Sequence, residues 1–152
     1  MAISVFHRRL VAVAILATLP ACDGAGSAAR LLRPDDAAVV ASGEALYALH
    51  CAVRHGAQLE GQPDWRQLGP DSLLPAPPHD ETGHSWHHPD QVLFDLTKYG
   101  PAYFEEGYAS AMPAFEDILT DAEIIAVLAF IKSSWSDLIR ARQAAIDAQA
   151  AE

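Results

Sequence analysis

Apolar positions set the first landmarks along this chain. Ile124, Val127, Leu128 and Ile131 follow an i, i+3, i+4, i+7 spacing, the stripe of a helix with one face in a core. Thr120-Asp121-Ala122-Glu123 stands directly before that stripe and reads as a capping box. Further upstream, Pro34-Asp35-Asp36 opens a helix through Val39, Val40, Leu46, Tyr47 and His50 to about Cys51, with acids where the helix dipole favours them. Gly43 falls in its middle, where alanine would be better by roughly 1 kcal/mol, so a second helix is expected to cross closely there. His88-Pro89-Asp90 begins another helix, with His88 as its cap, which carries Val92, Leu93 and Leu96 and ends at Gly100-Pro101. Ser136-Asp137 caps a last, solvated helix from Leu138 to Ala148. No alternating run is long enough for a strand, so an all-α domain with long loops is expected.

Between these helices the pattern breaks. Pro63, Gly69, Pro70, Pro75, Pro77 and Pro78 exclude any long regular element from Gly56 to Asp80, and a second loop runs from Ala102 to Asp117. Loops of this length are uncommon in a compact domain unless they wrap something. The first residues have a different character. His7, Arg8 and Arg9 precede an apolar run from Leu10 to Leu19, shorter than the ~20 residues a spanning helix needs. Residues 1–21 therefore read as a signal peptide. Leu19-Pro20-Ala21-Cys22 resembles a lipobox, which makes Cys22 the lipidation site; the plainer alternative is ordinary cleavage nearby with Cys22 incidental. The expected organisation is a signal peptide over 1–21, a tether over 22–35, a helical domain over 36–135 and a helical tail over 136–152.

Composition narrows the partners. The 152 residues carry 20 Asp+Glu against 10 Lys+Arg, a net charge of −10, which argues against nucleic acid and towards partners with basic docking surfaces. Two cysteines make no disulfide framework. A haem would answer the need for a buried apolar object inside the loops, and it demands axial ligands. His55, just after the first helix, and Met112, in the loop before the strongest helix, are the candidates for opposite faces of the iron. His79, His84, His87 and His88, with Asp80 and Glu81, also offer zinc or copper ligands, although structural or surface duty is the preferred reading.

The run Gly43-Glu44-Ala45-Leu46-Tyr47-Ala48-Leu49-His50-Cys51-Ala52-Val53-Arg54-His55-Gly56 resembles the first helix and haem-binding turn of small bacterial c-type cytochromes. Met112-Pro113-Ala114-Phe115 is similar to their sulfur-ligand loop, and Leu119 to Lys132 to their terminal helix, which crosses the first at a glycine and an aromatic (here Gly43 and Tyr47). Leu74 to Phe94 is similar to a lipid-anchored subgroup. The resemblance spans about residues 36–135. It implies a cytochrome c-like domain with haem-wrapping loops, His55 as proximal and Met112 as distal axial ligand, and Cys51 as a thioether anchor. It further implies one-electron transfer to redox proteins, with no catalysis, at the periplasmic side of a membrane.

One position departs from the family pattern. The attachment signature Cys-x-x-Cys-His becomes Cys51-Ala52-Val53-Arg54-His55, so two thioethers cannot form. Three readings stand open: haem held through Cys51 and the axial ligands, or non-covalently by the ligands; a degenerate fold that binds haem poorly or not at all and carries no electrons, with copper bound through its histidines and Met112 as the metal alternative; or a recent Cys-to-Arg change or sequence error. A haem sensor with an open site follows if Met112 is displaced.

Overall fold

The structure, a computed structural model, describes residues 31–103 and 107–152. Cys22 and the leader assigned over 1–21 lie outside the described residues. Among the described residues five α-helices follow in order: α1 (Ala37–His50), α2 (Ala52–His55), α3 (Asp90–Tyr99), α4 (Asp121–Ser133) and α5 (Asp137–Ala150). Short 3-10 turns at Ser85–His87 and Pro101–Tyr103 precede and follow α3. Among the described residues there is no strand, so the all-α expectation holds.

Each start has its own chemistry. The Asp36 carboxylate accepts from the backbone N–H groups of Ala38 and Val39, both at 3.2 Å, which caps α1. At α4 the capping box is complete: Thr120 accepts from the Glu123 N–H, and the Glu123 carboxylate accepts from the Thr120 N–H at 2.8 Å. Pro89 takes the N-cap position of α3, where His88 was expected, and offers no side-chain acceptor. Asp147 supplies it instead from α5, accepting from the Asp90 N–H at 2.6 Å.

The core forms where α1 crosses α4. A Cβ placed on Gly43 would lie 1.9 Å from the carbonyl oxygen of Ala126, so only glycine lets the two backbones meet. Tyr47 lies one turn on, 2% exposed, with its ring 5.4 Å from that of Phe130. The predicted stripe Ile124, Val127, Leu128 and Ile131 is buried in full, joined by Leu93, Phe94, Phe115, Leu119 and Trp135.

The last helix is less solvated than the sequence suggested. Ile139 and Gln143 are buried, and α5 closes a polar cluster against α3 and α4. The Lys132 ammonium, 1% exposed, lies 2.7 Å from Asp90 Oδ1 and 3.7 Å from Asp147 Oδ2. The Gln143 amide donates to Asp90 Oδ1 at 2.7 Å, and Asp90 Oδ2 accepts from the Leu32 N–H at 3.3 Å. This cluster is not legible in the sequence, because its members lie far apart along the chain.

Removing one partner from such a cluster leaves a buried charge uncompensated, at a cost of about 3–5 kcal/mol. Asp90→Ala should therefore lower the melting temperature sharply, whereas the paired change Asp90→Leu with Lys132→Met should recover most of the loss. Thermal unfolding followed by circular dichroism checks both.

Candidate functional site

The turn that follows α1 carries the candidate chemistry. The helix expected to run on to Cys51 ends at His50, and the chain re-enters a single helical turn, α2, from Ala52 to His55. Two backbone bonds hold the exit: the His55 N–H donates to the Cys51 carbonyl at 2.9 Å, and the Gly56 N–H to the Ala52 carbonyl at 2.9 Å. The Tyr47 hydroxyl donates to the Gly56 carbonyl at 2.9 Å, which ties the turn to the α1–α4 crossing. Burial, with Cys51, Glu60 and Asp80 nearby, pushes the Tyr47 phenol well above its ordinary range, so it stays a donor.

His55 is 7% exposed, and its Nδ1 lies 2.8 Å from the carbonyl oxygen of Pro77. A carbonyl can only accept, so Nδ1 carries the proton and Nε2 keeps a lone pair. Burial lowers the pKa of this ring and nearby Arg54 lowers it further, against the opposing pull of the Pro77 carbonyl. The result is a neutral imidazole, fixed in tautomer, with the lone pair on Nε2 available.

The loop that delivers Pro77 is closed at its neck. The Gln62 N–H donates to the Ala76 carbonyl at 2.9 Å, and the Gln62 side-chain oxygen accepts from the Ala76 N–H at 3.0 Å. Leu59 is buried at φ 67°, a left-handed conformation that costs an L-residue roughly 1–2 kcal/mol. Its carbonyl receives the N–H of His79 at 2.8 Å, which sets the Pro77–His79 segment against the turn. Buried Gly83 packs under the same segment, where a Cβ would lie 1.9 Å from the Pro78 carbonyl oxygen.

Beyond the neck, Gly69, Pro70, Asp71, Leu73, Leu74 and Pro75 line a cleft of about 390 Å³ whose other walls include Arg54 and Ala111. Arg54 is half-buried there, and among the described residues no carboxylate forms an ion pair with it. Met112, next to Ala111, is half-buried against the core, and its N–H donates to the Ser110 hydroxyl at 3.1 Å. Cys51 is a free, half-buried thiol whose pKa burial raises to about 11.

The histidine run divides. His79 leaves it and stacks on His55, with ring centroids 3.9 Å apart. His84 and His88 meet edge to face at 5.1 Å, and His87 stacks on Trp86 at 3.7 Å. Among the described residues, no group of three or more His, Cys, Asp or Glu side chains is placed to hold a metal ion.

The sequence model of the family described as Cytochrome c matches residues 40–135, from α1 to the end of α4 and through the whole cleft. The chain belongs to the cytochrome c family. Comparison with curated proteins and with solved structures gives no match. Members of this family bind haem, usually covalently through cysteines, and serve generally as electron carriers; haem is the cofactor this cytochrome domain takes.

The residues fit that group on one side and depart from it on another. A neutral buried imidazole with a free Nε2 suits haem iron. The cleft has apolar walls in Leu73, Leu74 and the prolines, but it is lined by Arg54 of the turn and not by His55, Cys51 or Met112, so the structure does not bring the candidate ligands together in it. Leu49 and Val53, beside the Cys51 turn, are 74% and 84% exposed, which suits an apolar surface laid against them. Arg54 is the departure, a cation in the cleft wall where a thiol would complete the signature. Two residues of this site escaped the sequence reading: Pro77, because a carbonyl acceptor leaves no trace in composition, and His79, because it was counted with its neighbours.

The raised Cys51 pKa gives a direct check. In a Cys22→Ser chain, folded protein with haem unattached should react slowly with iodoacetamide at pH 8, far below the pKa of about 11. Denaturant should return the thiol to its ordinary range near 8.5 and speed alkylation on the order of a hundredfold.

Proposed function

We propose that this protein is an exported, lipid-anchored one-electron carrier in which a single cysteine takes the place of the usual pair. Cys51 is the one covalent anchor, His55 Nε2 the proximal ligand and Met112 sulfur the distal ligand. When bound, haem supplies an iron couple that accepts and returns one electron. The chain's residues do the rest. His55 is held in one tautomer by Pro77, and the Met112 sulfur would hold the iron on its other side and keep outside ligands off. The observation that carries this reading is the 2.8 Å contact between His55 Nδ1 and the Pro77 carbonyl, which leaves the ligating nitrogen free at a buried position.

The anchor and location rest on sequence. Cys22 follows a short apolar run, so the mature chain would sit at the periplasmic face of a bacterial membrane on a tether whose residues 23–30 are small and polar. Net acidity favours redox partners with basic docking surfaces, through faster encounter at low salt.

Expression in a host with haem-attachment machinery, followed by spectra before and after acid–acetone extraction, tests the anchor. Haem that resists extraction is the expected result, and Cys51→Ala should make it extractable. Protein that never takes up haem would overturn the carrier reading and leave a degenerate domain. Met112→Ala should lower the midpoint potential and let carbon monoxide bind the reduced protein; carbon monoxide binding by the parent chain would make it an open-site sensor instead. Cys22→Ser should release the protein from the membrane fraction.

A further inference from the structure

We infer that His79 is a positioning residue for the axial imidazole, its ring lying flat on His55 and fixing the plane of that ring. The inference rests on the reading of His55 as the iron ligand. The two rings are 3.9 Å apart between centroids and 18° from parallel. The hydrogen bond from His55 Nδ1 to Pro77 fixes one edge of the ring but leaves it free to rock about that contact. A second ring on its face removes the rocking. Because iron binds in the plane of an imidazole, a ring stacked on the face leaves Nε2 open.

His79 is itself held through its backbone and by a ring contact. Its N–H donates to the Leu59 carbonyl at 2.8 Å, and its carbonyl accepts from Trp135 Nε1 at 2.9 Å. The Tyr47 ring meets it edge to face at 5.9 Å. Pro77 and Pro78 precede it, so one stiff tripeptide delivers both the hydrogen bond and the stack to His55. This is how an outer group orients a ligand and tunes its metal.

The identity of the residue matters as well. Among the described residues His79 Nδ1 is buried with no hydrogen-bond partner. Such an atom is destabilising, and a leucine would fill the space without it. A buried polar atom left unpartnered calls for a role that offsets it. The flat aromatic face, which leucine lacks, is that role here.

The test uses the full, haem-loaded chain. In His79→Ala and His79→Leu the ring of His55 gains freedom and water gains access, so the electron paramagnetic resonance signal of the oxidised protein should broaden and shift in its g-values, and the midpoint potential should move negative. His79→Phe restores a flat ring and should return both readouts towards the parent. Trp135→Phe, which frees the His79 carbonyl, should give a smaller shift in the same direction, and it stands as the test if the His79 variants fail to load haem. Spectra and potential unchanged in His79→Ala, or in Trp135→Phe where that variant alone is available, overturn the inference. His55→Ala separates the two claims: if it leaves the axial signals intact, the ligand assignment fails first; if it abolishes them while the His79 variants are silent, only the role of His79 falls.

Discussion

The contact between Gly43 and the Ala126 carbonyl governs how near α1 can come to α4, and most of the molecule is placed by that distance. With the backbones this close, Tyr47 is carried into the core, where its ring reaches Phe130 and its hydroxyl reaches the Gly56 carbonyl. The Cys51–His55 turn is thereby fastened to the centre of the fold, although it lies at the end of a helix where fraying would otherwise be expected. A larger residue at position 43 would push the helices apart and loosen the turn with them. The geometry of the Cys51–His55 turn and core packing are one problem in this chain.

A second fastening operates at the far end of α3. Its N-terminus borrows a cap from Asp147, and the same carboxylate, with Asp90, surrounds the buried Lys132. Charge burial of this kind is weak evidence for stability, since apolar replacements are often as good. Its contribution here is geometric: the contacts at Asp90, Lys132, Gln143 and Asp147 tie α3, α4 and α5 to one another. The helix beyond the family match is thus an integral support.

Much of this was legible in the residues. The stripe on α4, its capping box, the Gly43 crossing and the Cys51–His55 turn all depend on local spacing, and local spacing survives in sequence. What did not survive was anything made by backbone atoms or by residues distant along the chain. The Pro77 carbonyl that selects the His55 tautomer has no side-chain signature. His79 looked like one of four similar residues, and only the tertiary path of the 59–79 segment separates it from the others. The polar cluster joins positions 32, 90, 132, 143 and 147, and no window of the sequence contains them together. Arg54 was legible as a departure, and the structure adds where it stands, in the cleft wall.

The paired bonds between Gln62 and Ala76 have a consequence for how this protein can change. They clasp the neck of a loop whose body forms one wall of the cleft. With the ends fixed, closure entropy grows only slowly with length, about 0.6 kcal/mol for each doubling. Insertions and deletions between the clasped residues are therefore cheap, and they leave the Pro77–His79 segment where it is. They do alter how much of the cleft mouth is roofed over. A lineage could trade loop length for solvent access at the cleft mouth while the Cys51–His55 turn and the Pro77–His79 segment stay untouched.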